Sequence, residues 1–513
     1  MTGSTHVVDA PESGIDLQRS VGPDVPVASV LRSKLNGVEL PDSEDIDAAI
    51  DDLLRRRPMV GAALGVVRGN GSVHFRGAGF ADIARHRPIS SDTVFRIASI
   101  SKTVTAVAIM QLWERGLVEL DAPAESYLRS YVLQSASPHF RPATLRDLLT
   151  HTSGAPESVH PWRTFRADFG ESVRLEDRVP TLAEYYRGGL RLAAEPGTRF
   201  CYGNHGFATL GQIVEDVTRM SLRQYFREEI FRPLGMDSAD LRQTTHLLDH
   251  LAVGYTIGRH GPVPVVDRTM ITAGAASVYA SAQDMGRYLA ALLGGGANDS
   301  GRILRPGTIA QMFAPQYQPD PRIPGLGLAF FRYETAGHRL VEHGGIMPGF
   351  TSDIFLAPDD DVAVMIFTNG AHGATLWLPV ETGELLNRML RVRAAGIRTD
   401  VAHHPELWNQ ICGRYIVPGR WSDIRSRMMM GAGAEVVVKH GRLVLRLLSP
   451  IPVEHRGFEL HPDDPDDPFA FRLDLTGVGL GTGRILFSIE PGTNETVMHF
   501  DLYPISVRRS PRS

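Results

Sequence analysis

The chain has 513 residues, of which 43% are hydrophobic and 22% charged, with 51 Gly, 34 Pro and two Cys. A length well beyond one core of ~100–200 residues predicts at least two domains, and the ordinary apolar share excludes a largely disordered or fibrous chain. Lys plus Arg (53) against Asp plus Glu (58) leaves a formal net charge of −5, too small an imbalance to argue for nucleic acid or an anionic membrane surface.

Residues 1–42 begin as a mixture of Pro, Gly, Ser and charge without period and read as a flexible arm. They carry neither a basic start nor an apolar signal core, and no run of about 18 apolar residues occurs, so a cytoplasmic chain without a membrane span is expected. Residues 43–393 read as the first folded domain. DIDAAIDDLLRRR (Asp45–Arg57) starts acidic and ends basic, the polarity a helix dipole favours. AALGVV, RGNG and SVHFRGAGF predict a hairpin turned at Asn70-Gly71. From Ser99 to about Arg115 the chain is apolar on nearly every side, which predicts a buried helix ended by Gly116. Phe207, Leu210, Ile213, Val214 and Val217 mark another helix from about Gly206, and RLVEHGG followed by TSDIFLAPDDDVAVMIFTNG reads as strand, turn, strand. Strands at both ends with helices between predict an α+β architecture, an antiparallel sheet flanked by helices.

After a helix ending near Arg393, residues 394–405 look like a linker. Residues 406–513 hold short β-rich runs (GRYIVP, AEVVVKHGRLVLRLL, AFRLDL, RILFSI, TVMHFDLY) and predict a small all-β barrel or sandwich. HPDDPDDP (His461–Pro468) reads as a solvated turn rather than a calcium loop, and GVGLGTG (Gly477–Gly483) as a β-turn rather than a nucleotide loop. Arg55–Arg57 and the basic tail read as exposed charge, and Met428–Met430 as packing. Cys201 and Cys412 lack disulfide-framework or zinc-ligand spacing, and Cys201 reads as a packed thiol.

The chemistry lies in TVFRIASISKTVTAV. Ser99 and Lys102 are three apart at a helix start, so both side chains share one face. A serine hydroxyl needs a base within hydrogen-bond reach, a lysine can serve if its surroundings favour the amine, and a helix N-terminus favours negative charge developing there. Taken alone, the pair reads more readily as an N-cap serine and an exposed lysine.

The flanking segments decide. FRIASISKTVTA resembles the first motif of the serine β-lactamase and penicillin-binding-protein superfamily, in its class C β-lactamase-like branch. TLRDLLTHTSG, the Tyr202-Gly203-Asn204 motif, TAGAASVYASAQDMGRYLAALL and His343-Gly344-Gly345 follow in family order, so the resemblance spans roughly Asp45 to Arg393. It implies a β-lactamase/transpeptidase-like fold with a helical subdomain, an acyl-enzyme on Ser99, and proton transfer by the Lys102–Tyr202 pair. It further implies that Asn204 orients Lys102 and substrate, that Gly345 gives access to the backbone, and that the amides of Ser99 and Ile346 form the oxyanion hole. His343 stands where many relatives have lysine, which disfavours a substrate carboxylate and hence an efficient β-lactamase. His151 falls in a structural turn, and the aromatic stretch with Trp162, Phe165, Tyr185 and Tyr186 is expected to overhang the cleft. The C-terminal part is similar to lipocalin-like barrels appended to such hydrolases, where it would extend the cleft, mediate oligomer contacts or only stabilise. A small-molecule ester, β-lactam or peptide is the implied substrate, with no metal or cofactor and no nucleic acid. An acyl transferase or peptide cyclase, and a non-catalytic binding protein on the same fold, are the alternatives.

Overall fold

The computed structural model describes residues 41–157, 159–160, 170–393, 395–416, 432–448, 456–490 and 492–510. Residues 1–40 of the arm, Trp162, Phe165, Ala394, Met428–Met430 and the last three residues lie outside the described residues.

The first helix, Ser43–Arg56, is capped by Asp42, whose carboxylate accepts from the Asp45 amide, and Ile46, Ala49, Ile50 and Leu53 form its buried stripe. The hairpin follows as Gly61–Arg68 and Val73–Asp82, with Gly71 at φ +83° in the turn. These strands lie in a seven-stranded antiparallel sheet ordered Phe331–Thr335, His338–Met347, Phe350–Ala357, Val362–Thr368, Gly61–Arg68, Val73–Asp82 and Arg87–Pro88. Period-2 alternation sorts its side chains: Ala62, Leu64 and Val66 pack with the first helix and helix Ala374–Met389, while Ala63 and Val67 join the larger core around helix Ser101–Glu114. The expected sheet flanked by helices is present.

Arg55–Arg57 is more engaged than a solvated charge run. Arg56 and Arg57 both donate to the buried Glu381 carboxylate, at 2.6 and 2.9 Å, and so tie the first helix to helix Ala374–Met389.

On that same sheet face, Glu342 stands two residues beyond Leu340 and Asp353 two before Phe355, both buried. The two carboxyls converge at Gly344, where an added Cβ would lie 3.3 Å from Glu342 Oε1 and 3.5 Å from Asp353 Oδ1. Burial pushes both carboxyls above the usual range, and the charge of Asp353 pushes Glu342 further. Values raised in the native state mean stability that is full at low pH and lost as pH rises above about 4. Asp353→Asn is therefore expected to match wild type near pH 4 and to exceed it by about 1–3 kcal/mol at pH 8, measured by denaturant unfolding at both pH values.

Beyond residue 405 a 3-10 turn, Pro405–Leu407, and a short helix, Trp408–Ile411, lead into nine antiparallel strands in one sheet. Its edge strands, Phe458–Glu459 and His461–Asp464, are separated in the chain only by Leu460, so the two edges approach and the sheet is nearly closed, barrel-like. HPDDPDDP is mostly strand rather than a solvated turn: His461–Asp464 and Asp467–Asp474 pair across a turn of only Pro465 and Asp466, and Asp463 accepts from Arg472 at 2.7 Å. The interior of this sheet, including Tyr415, Val436, Leu445, Phe471, Phe487 and Met498, is continuous with Phe200, Tyr202, Leu326 and Phe331 of the preceding region. Arg322 fastens the two parts, donating to Asp320, to Asp467 at 2.7 Å and to the Phe487 carbonyl at 2.9 Å. No helix among the described residues is long and apolar enough to cross a membrane.

Candidate active site

Ser99 sits in a 3-10 turn, Ala98–Ile100, that runs directly into helix Ser101–Glu114. Ala98 has φ +47°, a left-handed conformation costing an L-residue ~1–2 kcal/mol, so the turn needs support. Ser101 supplies it: its Oγ donates to the Ala98 carbonyl at 2.6 Å and accepts from the Val278 amide at 3.0 Å, while the Ile97 amide donates to the Val278 carbonyl. Ser101 thus shapes the turn, and Ser99 is left just below the surface, 8% exposed.

One turn on, Lys102 is fully buried. Its Nζ donates to Ser99 Oγ at 2.9 Å, to Asn204 Oδ1 at 2.9 Å and to the Ala275 carbonyl at 3.1 Å. Three acceptors match the three protons of an ammonium, and burial without such partners would be prohibitive. The Tyr202 ring centre lies 5.0 Å from the same nitrogen. Ser99 and Lys102 therefore share one site with Tyr202 and Asn204, which lie far along the chain from them.

Tyr202 is held by its ring. His151 packs against it at 4.3 Å between centroids, with Phe331 at 6.3 Å and His343 at 6.4 Å. His151 itself takes φ +56°, accepts from the Gly203 amide through Nδ1 at 3.4 Å and bonds the Cys201 amide through its carbonyl. It positions the loop that carries Tyr202, as its place in a turn suggested. Tyr503, on the loop before the last strand of the C-terminal sheet, packs on Phe331 at 5.0 Å and on Phe200 at 6.2 Å. The C-terminal sheet thereby backs the aromatic wall around Tyr202.

His343 is 1% exposed and donates from Nδ1 to the Gly344 carbonyl at 2.7 Å, leaving Nε2 buried without a hydrogen-bond partner. Burial, with the Lys102 charge second, pulls its imidazole down to about 3, so it is neutral at physiological pH. At Gly345 an added Cβ would lie 2.2 Å from the Ile97 carbonyl and 2.3 Å from Ser352 Oγ. The glycine lets strand His338–Met347 close on the turn bearing Ser99. Ile346, 58% exposed, borders a cleft of about 250 Å³ lined also by Ile257, Met347, Phe350, His372 and Thr375.

Tyr185 and Tyr186 do not overhang a cleft; both are buried in the main core, where Tyr186 OH meets His205 Nδ1 at 3.0 Å. Their hydroxyls find partners inside, which makes burial tolerable. From the same neighbourhood comes Glu171, 1% exposed, whose carboxylate accepts from Asn204 Nδ2 at 2.6 Å and Thr272 Oγ1 at 3.2 Å. Sequence reading missed it because it has no fixed spacing to any motif; the Ala275 carbonyl was missed because any residue can supply one. Among the described residues, no group of three or more His, Cys, Asp or Glu is placed to hold a metal ion.

The Beta-lactamase family model matches residues 46–379. A D-aminopeptidase of Cereibacter sphaeroides is 28% identical over 400 residues, which is 77% of this chain and 69% of the relative. Among solved structures, the octameric penicillin-binding protein homologue from Pyrococcus abyssi aligns with a TM-score of 0.57 at 21% identity, covering 91% of this chain and 100% of its own. The structure of SurE aligns with a TM-score of 0.61, also at 21% identity, over 91% and 100%. At that identity these structures speak for the fold, and their coverage takes in the C-terminal sheet. The matched family span runs from the first helix into helix Ala374–Met389, well over half of the chain, and the chain belongs to the Beta-lactamase family of serine hydrolases.

Proposed function

We propose that the chain hydrolyses an ester, an amide or a D-amino-acid-containing peptide through an acyl-enzyme on Ser99. The observation that carries this reading is the 2.9 Å contact from Lys102 Nζ to Ser99 Oγ, in a site where the lysine is also committed to Asn204 and Ala275. Ser99 Oγ attacks the substrate carbonyl carbon and its proton passes to the Tyr202 oxygen, whose negative form the Lys102 charge favours. The tetrahedral oxyanion is received by the amides of Ser99 and Ile346. Tyr202 then returns the proton to the leaving group, and water releases the acyl chain by the reverse sequence.

The neutral, buried His343 favours substrates without a carboxylate at that position. The likeness to a D-aminopeptidase supports a peptide or amino-acid amide among the candidates. Turnover of a chromogenic ester, a D-amino-acid anilide and a chromogenic β-lactam by wild type and Ser99→Ala tests the reading. Ester or anilide turnover lost by about 10⁴-fold or more in the variant is expected, with the β-lactam the poorest substrate. Turnover that survives Ser99→Ala, or a β-lactam that outpaces the others, would contradict it.

A further inference from the structure

We propose that Glu171 is a positioning residue for this site: its buried carboxylate fixes the orientation of the Asn204 amide and supplies the negative charge that balances Lys102. The kinetic half of the test rests on the acyl-enzyme reading, whereas the spectroscopic half does not.

The Asn204 amide lies between a donor and an acceptor. Its Oδ1 receives Lys102 Nζ at 2.9 Å and its Nδ2 donates to Glu171 Oε2 at 2.6 Å. Turning the amide over would set its NH₂ against the ammonium and its oxygen against the carboxylate, so both neighbours enforce one orientation. Without Glu171, only Lys102 would hold it.

The charge argument follows from what surrounds the carboxylate. A buried carboxylate is costly unless paired or hydrogen-bonded. From helix Asn204–Thr218, His205 Nε2 approaches Glu171 Oε1 at 3.6 Å, and His205 is bound on its other side by Tyr186. The Tyr186 phenol is held well above its ordinary value by burial, then by Tyr131, then by the Glu171 charge, so it stays neutral and adds no second negative charge beside the carboxylate. Tyr185 stacks on His205 at 6.2 Å, and Thr272 is a neutral donor. Arg268, on strand Arg268–Met270, directs its guanidinium to Ser172 Oγ at 2.7 Å and the Ser172 carbonyl at 3.2 Å. Lys102 is the cation that Asn204 links directly to Glu171, and the groups facing Lys102 from elsewhere, His343 and Tyr202, bring no positive charge. Lysine, amide and carboxylate therefore form one relay of charge and orientation ending at Ser99.

The chain contains three lysines, Lys34, Lys102 and Lys439, so a protein labelled with ¹³C at lysine Cε gives three signals to assign. Glu171→Gln preserves shape and an acceptor for Asn204 while removing the charge, which eases proton loss from Lys102 and Tyr202 alike. The Lys102 titration midpoint in Glu171→Gln is expected about one pH unit below wild type, with both limbs of the kcat/KM profile displaced the same way. Glu171→Asp keeps the charge but shortens its reach, so its midpoint and limbs should coincide with wild type while kcat falls about tenfold. Coincident Lys102 midpoints in wild type and Glu171→Gln would overturn the proposal, as would a Glu171→Asp midpoint displaced like that of Glu171→Gln. A merely structural residue would lower the rate at every pH and leave midpoints and limbs in place. Activity that persists in Ser99→Ala would remove the acyl-enzyme reading without altering what the titration decides.

Discussion

Replacing Lys102 by alanine is expected to lower kcat/KM for an ester or amide substrate by about 10³–10⁴-fold. The lysine is one of the most deeply buried polar side chains in the chain, and it reaches Ser99 Oγ, Asn204 Oδ1 and the Ala275 carbonyl together. Truncation removes the cation that assists proton transfer, and it also leaves three inward-facing acceptors without their donor. Stability should fall as well, by about 2–5 kcal/mol, because unpaired buried polar groups bear their full desolvation cost. Lys102→Arg should not rescue activity: a planar five-donor fork cannot occupy the space of a compact ammonium packed beside Tyr202 and Phe207. Steady-state kinetics and thermal unfolding on the same samples check both effects, and a Lys102→Ala enzyme within tenfold of wild type would refute the assigned role.

Tyr202→Phe separates chemistry from packing. The ring contacts with His151, Phe331 and His343 survive the substitution, and only the hydroxyl is removed. A fall in kcat of about 10²–10⁴-fold is expected, with KM within a few-fold and a melting temperature within a few degrees of wild type. Tyr202→Ala should behave differently. It opens a hole in the aromatic cluster that joins Phe200 and Phe331 to the interior of the C-terminal sheet, so its loss of activity comes with a loss of stability of about 3–5 kcal/mol. Equal kcat in wild type and Tyr202→Phe would show that the hydroxyl carries no proton in the reaction.

Much of this molecule was legible in its sequence, for identifiable physical reasons. The helix after Ser99 announced its burial by being apolar on every side, and the Asn70-Gly71 hairpin by its turn residues. Ser99 and Lys102 were legible because helical spacing alone puts them on one face. A side chain at Gly345 would meet the Ile97 carbonyl, and no local pattern reports a contact between residues that far apart in the chain. Tyr185 and Tyr186 were misplaced because aromatic density in an irregular stretch looks the same whether it covers a cleft or fills a core. Glu171 could not be seen at all: a carboxylate matters here through a single hydrogen bond to Asn204, and only the fold brings the two together.

The proposed reaction passes through covalent chemistry at one oxygen, Ser99 Oγ. Intact-protein mass spectrometry of wild type mixed rapidly with an activated ester and quenched in acid, followed by peptide mapping, reads that directly. The predicted result is a single acyl adduct on the peptide containing Ser99, absent from Ser99→Ala and accumulating less in Lys102→Ala. An adduct on another residue, or turnover of the ester with no adduct at any quench time in wild type and undiminished in Ser99→Ala, would contradict it.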